Sequence, residues 1–414
     1  MRVVKFGGSS VADVARLRHV AALVVELRAQ GAVAVVVSAM AGVTDALIGV
    51  GQSAITGDSR LPERLDAVAL RHHEAWAALA GGAPPAFDRL WEALTLDART
   101  LARRGAGLGA PARERLVAQF SGWGERLVVG LLAAALREAG LIAEAFDEAP
   151  VTLHGAAGAD TEPEPSTLAT RARLLPRLAL LVMRGGVPVL PGYIARDSAG
   201  ALTTLGRNGS DHSAAVIAAA LGAERLTIYS DVPGMLTADP RIVPDATLLP
   251  ALTYEEAQRM ATLGARALHP RTIEPVTRWG IPLELRATET PYAPGTDIMP
   301  GAAIPRGRAR DAAWIVAARA LASDPRGPVE VTAAWLPAWP LADGAEPPQT
   351  CADDALARLS FADLAARERA RTPDGVRLLV DAERADAAVR ALHTALQSCV
   401  EAQREQSAAR AALA

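Results

Sequence analysis

The 414-residue chain has a single lysine, Lys5, among its 43 basic residues, and all the others are arginine. Cysteine and aromatic residues are also scarce: two cysteines, Cys351 and Cys399, and 4% Phe, Trp and Tyr. Two late cysteines with no paired pattern around them exclude a disulfide framework and a cysteine-built zinc centre, and they suit a reducing compartment. A net charge of −3 supplies no basic footprint for nucleic acid or an acidic membrane surface. No apolar run reaches the roughly 18 residues that a membrane helix requires. The opening MRVVKFGG reads as a strand and turn rather than as a signal peptide, so a cytoplasmic protein is expected. The histidines show no metal-ligand spacing, and no metal site is expected.

Half of the residues are hydrophobic, so a large core can form, but it must be built from Ala, Val and Leu. The length suggests two or three domains. The excess of arginine and alanine has the look of a GC-rich coding bias that turned lysine into arginine wherever arginine would serve. A lysine that survives such a bias is one whose compact ammonium a guanidinium fork cannot replace.

Residues 1–40 read as strand, Gly turn, helix, strand. Val3–Phe6 is a short apolar run closed by Gly7-Gly8. Ser9 and Ser10 are N-cap candidates for a helix from Val11 to Gln30, with Asp13 in its first turn. Ala32–Val37 is wholly apolar, the mark of a parallel strand buried on both faces. Residues 60–145 carry a helical pattern broken near Gly81–Pro85 and Gly105–Pro111, and Gly155–Ser166 reads as a loop. Strands follow at Val187–Ile194 and Leu226–Tyr229, on either side of a helix at Ser213–Leu221, and a closing strand at Leu283–Arg286. The texture changes near residue 305. Beyond it Pro325–Pro348 shows no regular pattern, Phe361–Arg371 reads as helix, Val376–Val380 as strand and Ala382–Leu396 as helix.

Five segments carry candidate chemistry. In KFGGSS, Lys5 to Ser10, two glycines between strand and helix let the backbone approach an anion, and Lys5 can reach the same phosphates. A tight turn alone would account for the glycines; the sole lysine beside them favours phosphate binding. Ser38 and Thr44 in SAMAGVTD lie at the strand edge where ligands collect in open α/β sheets, or simply start a capped helix. Glu125 in SGWGERL is a dipole-favoured surface acid or a partner for a substrate ammonium. TTLGRNGSDHSAA crowds Arg207, Asn208, Ser210 and Asp211 before a helix. Arg207 suits a carboxylate, and Asp211 could orient a cation such as the Lys5 ammonium. In YSDVPGMLTADPR, Asp231 at a strand end could accept from a ribose or base and Arg241 could meet nucleotide phosphates, although Ala-Asp-Pro-Arg alone signals only a turn.

Together and in this order, these segments resemble the aspartate kinase branch of the amino-acid kinase superfamily across residues 1–300. LTYEEA (Leu252 to Ala257), LGARALHPRTIEP (Leu263 to Pro275) and APGTDI (Ala293 to Ile298) extend the match. The resemblance implies an α/β fold, a three-layer sandwich with a mostly parallel central sheet, in a catalytic domain spanning residues 1–305. It implies ATP-dependent phosphorylation of the side-chain carboxylate of L-aspartate, with Mg²⁺, as the first step of lysine, threonine and methionine synthesis. Lys5 and Asp211 would be catalytic. Lys5, Gly7, Gly8 and Ser9 would hold the phosphates, with Ser230, Asp231, Arg241 and Arg266 around the nucleotide. Ser38, Thr44, Glu125, Arg207 and Ser210 would bind the acceptor. A homodimer is the family's common assembly.

The departures are specific. Arg266 stands where the family has lysine, Leu236 where an aromatic is common, Trp123 where Phe or Tyr precedes Gly-Glu, and Arg286 is followed by Ala-Thr-Glu-Thr rather than Asn-Thr-Phe. Residues 306–414 show only the last strand and helix of an ACT module, so a reduced ACT-like α+β region is expected. Two other readings share these residues: a kinase of the same fold for another small acid, and a silent regulatory subunit.

Overall fold

The computed structural model describes residues 1–155, 164–206, 208–265, 267–301, 313–320, 328–336, 368–372 and 375–413. They form two compact units, Met1–Val232 with Arg271–Ala293 and Pro233–Pro270 with Pro294–Ala414. Compactness thus interleaves the chain, while the composition change near residue 305 falls inside the second unit.

The first unit runs β1 (Arg2–Phe6), α1 (Val14–Ala29), β2 (Val33–Val37), α2 (Val43–Thr56), α3 (Leu61–Ala80), α4 (Pro85–Gly105), α5 (Ala110–Ser121) and α6 (Trp123–Glu138). It continues through β3 (Ala143–Ala145), β4 (Val151–Thr152), α7 (Thr167–Met183), β5 (Val187–Pro191), β6 (Ile194–Arg196), β7 (Leu202–Thr204), α8 (Gly209–Leu221) and β8 (Arg225–Ser230). In the second unit come β9 (Ala251–Leu252) and α9 (Tyr254–Leu263). The chain then returns through α10 (Pro270–Arg278) to β10 (Leu283–Ala287) of the first unit.

Within the first unit the strand order is β3-β5-β2-β1-β8-β10, and every pairing is parallel. Parallel strands need covering on both faces. Val33–Val37 of β2 are all buried, each such valine contributing roughly 1.5–3 kcal/mol. The alternation of side chains along β1 sorts its residues. Val4 and Phe6 join the core with Leu17, Val20 and Leu131 of α1 and α6, so Val3 and Lys5 face the other way. On that side α8 packs on β1, and its run of Ser and Ala lets the backbones come close. From β1 the chain moves outward through β2 on one side, and from β8 outward through β10 on the other. The strand order therefore reverses between β1 and β8, and ligands of open α/β sheets settle at the C-terminal ends of such strands.

Local boundaries differ from the sequence expectations in instructive ways. The first helix begins at Val14, not Val11, because the Asp13 carboxylate accepts the Arg16 N–H and caps it. Gly8–Val11 is instead a separate 3-10 turn, and Ser9 and Ser10 are not N-caps. The helix expected from Ser213 begins four residues earlier, at Gly209, which puts Ser210 and Asp211 in its first turn. Most of the loop expected over Gly155–Ser166 lies outside the described residues.

The second unit also holds β11 (Thr296–Ile298), which pairs with β9, then β12 (Ala313–Ala320), β13 (Val329–Leu336), β14 (Glu368–Thr372), β15 (Gly375–Val380) and α11 (Ala385–Leu413). Strands β12-β13-β15-β14 form an antiparallel sheet that packs on α11. The described end of the segment expected as helix, Glu368–Thr372, is a strand, because its backbone pairs with Gly375–Val380 and tertiary pairing outweighs an Ala/Arg-rich helical pattern. Val329–Leu336 is a strand inside the stretch that showed no pattern.

One buried group makes the first unit acid-sensitive. His72 of α3 is fully buried, donates from Nδ1 to the Val68 carbonyl at 2.8 Å and stacks on Phe87. Burial lowers its pKa from 6.5 to about 4. The unfolded chain therefore binds a proton that the folded chain refuses, and stability falls as pH drops from 6.5 towards 4, by about 3 kcal/mol from this residue. A series of urea midpoints from pH 7 to pH 4 should show a shallower fall in His72→Leu than in the parent; identical slopes would refute this origin.

Candidate active site

At the C-terminal end of β1, Lys5 is only 6% exposed, and its Nζ meets Asp211 Oδ1 at 2.6 Å. A buried ammonium is tolerated only with such a partner. The pair exists because Lys5 faces α8 and because α8 begins early enough to place Asp211 in its first turn. The turn that follows β1 folds tightly over it. The Gly7 N–H donates to Tyr229 O at 3.1 Å, and Lys5 Nζ lies 3.6 Å from where a Gly7 side chain would begin. A Cβ on Gly8 would stand 2.7 Å from the Ala39 carbonyl oxygen, so only glycine fits there. The Ala41 N–H in turn donates to Gly8 O at 3.1 Å, and the segment from Ser38 to Gly42 wraps this turn.

Glu125, in the first turn of α6, faces the same place. It is 3% exposed, Ser210 Oγ donates to its Oε1 over a long 3.5 Å, and its Oε2 has no hydrogen-bond partner. Burial pushes its pKa up to about 8, against smaller opposing effects of the Ala39 N–H, Ser210 and the Lys5 charge. A buried carboxyl group with an empty oxygen is built to receive a donor.

Backbone strain accompanies this arrangement. Tyr193 and Asn208 are the non-glycine residues with left-handed backbone among the described residues, at φ 63° and φ 54°. Both border Ser210: a Cβ on Gly192 would stand 2.7 Å from Ser210 Cβ, and one on Gly209 2.8 Å from the Tyr193 ring. The Tyr193 N–H donates to Ser213 Oγ, which donates to Ser210 O. The loop after β5 and the start of α8 are thereby interlocked. The sequence reading missed Gly192 and Tyr193; a glycine directly after an apolar strand was the only available signal.

The structure brings Lys5, Gly7, Gly8, Glu125, Ser210 and Asp211 together. Ser9 lies within the turn, its carbonyl accepting from Arg16 Nη1 at 3.0 Å. Ser38 follows β2 and Thr44 lies in the first turn of α2, both half-buried. Ser230 ends β8; its hydroxyl is engaged with its own turn, donating to Val232 O and accepting the Val232 N–H, and Asp231 beside it is exposed. Arg241 belongs to the second unit, where it grips Asp239 with Nε at 3.0 Å and Nη2 at 2.8 Å. Arg207 and Arg266 lie outside the described residues. Among the described residues no group of three or more His, Cys, Asp and Glu could hold a metal ion. Trp123, one of the departures from the family pattern, donates from Nε1 to Asp97 at 3.1 Å and lies under the Arg126 guanidinium at 3.8 Å. Among the described residues no helix is long and apolar enough to cross a membrane.

Similarity to known proteins covers most of the chain. The model of the amino acid kinase family matches residues 1–286. Lysine-sensitive aspartokinase 3 of Escherichia coli is 36% identical over 301 residues, 71% of this chain and 63% of that protein. The aspartokinase of Thermus thermophilus is 31% identical over 296 residues, 71% of this chain and 58% of that one. The chain thus spans less than two thirds of the length of these curated relatives. Among solved structures, E. coli aspartokinase III in complex with aspartate and ADP superposes with a TM-score of 0.65 at 28% identity, covering 93% of this chain and 80% of that one. The same enzyme in complex with lysine and aspartate gives a TM-score of 0.69 at 24% identity over 96% of this chain and 99% of that chain, a likeness of fold. The chain belongs to the amino acid kinase family, and these relatives and solved structures it resembles are aspartokinases.

Proposed function

We propose that this protein transfers the γ-phosphoryl group of ATP to the side-chain carboxylate of L-aspartate, giving 4-phospho-L-aspartate and ADP. The observation that carries the reading is the buried Lys5–Asp211 pair at the switch point, with the half-satisfied carboxyl of Glu125 facing the same space. The acceptor oxygen attacks the γ-phosphorus; the new O–P bond forms as the bond to the β-phosphate oxygen breaks, and the electron pair leaves on ADP. The attacking carboxylate is already ionised at neutral pH, so no general base is needed. Catalysis consists of positioning and of cancelling negative charge.

In this reading Lys5 bridges the phosphates, and Asp211 holds its ammonium in place. Gly7, Gly8 and Ser9 present backbone groups to the phosphate oxygens, and Ser230, Asp231, Arg241 and Arg266 surround the nucleotide. Glu125 takes the acceptor's ammonium and Arg207 its carboxylate, with Ser38, Thr44 and Ser210 around them. Mg²⁺ fits as an ion carried on the nucleotide's own phosphates, because the described residues offer no carboxylate cage and Asp211 is already paired with Lys5. Bound there, it neutralises charge on the transferring group. Residues 1–305 would form the kinase domain and 306–414 a reduced ACT-like region. A cytoplasmic homodimer serving the first step of the aspartate family of amino acids completes the proposal.

ATP-dependent hydroxamate formation with aspartate, with glutamate and without acceptor tests the activity: signal with aspartate is expected, and its absence would refute the reading. Lys5→Arg should lower kcat on the order of 10²–10³-fold with the fold intact, since a planar fork cannot occupy the place of a buried ammonium. Arg266→Lys should be mild.

Glu125 gives a pH signature. With a pKa of about 8 it is mostly neutral at pH 7 and must lose its proton to pair with an ammonium. The KM for aspartate should therefore fall as pH rises from 7 to 9, until the amino acid itself deprotonates. Glu125→Gln should raise that KM about 10- to 100-fold and abolish the trend. The linked stability effect has a definite sign. The raised pKa means that the folded state holds a proton the unfolded chain gives up above 4.5, so stability falls as pH rises from 4.5 to about 8 and levels off above it. Glu125→Gln should be more urea-resistant than the parent at pH 9 and no different at pH 4.

A further inference from the structure

Thr288 lies one residue beyond β10, in the Ala-Thr-Glu-Thr stretch that follows Arg286. It is 3% exposed, and its neighbour in space, Ser10, is 1% exposed. Their hydroxyl oxygens are 2.6 Å apart, at the short end for two hydroxyls. The proton of Thr288 Oγ1 goes to the Ser230 carbonyl at 3.1 Å, so the Ser10 hydroxyl must be the donor to Thr288. The Thr288 N–H donates to the same carbonyl at 2.8 Å, and its own carbonyl accepts from His19 Nε2 of α1 at 2.8 Å. One residue therefore ties the turn after β1, the end of β8 and helix α1. These are the two strand ends between which the sheet order reverses.

We infer that Thr288 is a positioning residue for the nucleotide, fixing the Gly8–Val11 turn against the end of β8 through the relay Ser10–Thr288–Ser230. The inference rests on the proposal that this turn holds the phosphates. Lys5 anchors the turn at its entry and Ser10 at its exit, so Gly7, Gly8 and Ser9 are held from both sides. A second link joins the same two segments at the surface: Arg16 Nη1 contacts both Ser9 O at 3.0 Å and Glu289 Oε1 at 2.8 Å. The Arg16 and Glu289 side chains are 41% and 62% accessible, so that link is screened by salt, whereas the buried relay is not. Replacing the threonine by valine keeps the shape, removes the acceptor of the Ser10 hydroxyl and leaves that hydroxyl buried without a partner.

The test compares Thr288→Val, Thr288→Ser, Ser10→Ala and the Ser10→Ala/Thr288→Val pair with the parent. ADP affinity is measured by calorimetry, KM for ATP and aspartate by steady-state kinetics, and folding by urea midpoint. Thr288→Val should weaken ADP binding and raise the KM for ATP about tenfold, with the KM for aspartate within about twofold. Thr288→Ser should restore ADP affinity to near the parent value. The double variant should be no worse than Thr288→Val, because both changes break one relay. Unchanged ADP affinity in Thr288→Val, a serine variant as weak as the valine one, or additive losses in the pair would each overturn the inference. Should Thr288→Val fail to fold, Ser10→Ala makes the same break from the other end and is judged by the same outcomes. Calorimetry with ADP needs no acceptor, so a parent protein that binds ADP without aspartate-dependent turnover would refute the proposed function and leave this comparison decisive. A parent that binds no ADP would sink both.

Discussion

The first unit is organised around one requirement, the burial of an ammonium at the end of a parallel strand. Lys5 is almost without solvent, and an isolated charge there would be costly on the scale of several kcal/mol. Asp211 must therefore stand 2.6 Å away, and that fixes where α8 starts. Starting α8 at Gly209 forces Asn208 into left-handed backbone, and the close approach of Ser210 to Gly192 accompanies the same conformation at Tyr193. The strain at these two residues is what it takes to bring a helix start over a strand end. It is tolerated because α8, with Ser213–Leu221 buried throughout, is held by its packing.

Charge balance follows from the same constraint. Lys5 and Asp211 cancel each other, so a third ionised group in this dry space would leave it with a net charge. Glu125 keeps its proton because burial strips water from its carboxyl and pushes the pKa up to about 8, although the Lys5 charge pulls the other way. Under the proposed function, an ammonium arriving beside Glu125 would stabilise its ionised form.

How much of this could be read beforehand depended on how local the cause was. The strand–Gly–Gly turn, the buried run at Val33–Val37 and the crowding of Ser210 and Asp211 were legible because periodicity, glycine and charge act over a few residues. The pairing of Lys5 with Asp211, 206 positions apart, was open to the residue reading because an acid at a helix start suits the chain's sole lysine. What was not legible has non-local causes. The left-handed backbone at Tyr193 arises from the approach of Ser210, and the strand at Glu368–Thr372 from pairing with Gly375–Val380. Thr288 looks like any threonine at the end of a strand; its importance comes from a serine 278 positions earlier.

The second unit shows why composition misplaces a packing boundary. Ala238 and Val243 lie in the same core as Val331, Leu378, Val389 and Leu392, so the Ala-Asp-Pro-Arg segment is part of the hydrophobic packing of the antiparallel sheet and α11. A polar bond reinforces this. Thr237 Oγ1 accepts the Thr247 N–H and is hydrogen-bonded to His393 Nε2 of α11, 3.0 Å away. Burial lowers the His393 pKa, and the charge of Asp245 only partly opposes this. Meanwhile the Thr237 carbonyl accepts the Val316 N–H of β12 at 2.8 Å. The turn at Asp239–Arg241 is thus attached to both the helix and the sheet that follow the composition change. A displacement of α11 must either break the Thr237–His393 bond inside a buried core or carry the turn along. The antiparallel sheet and α11 are therefore an integral support of the Asp239–Arg241 turn.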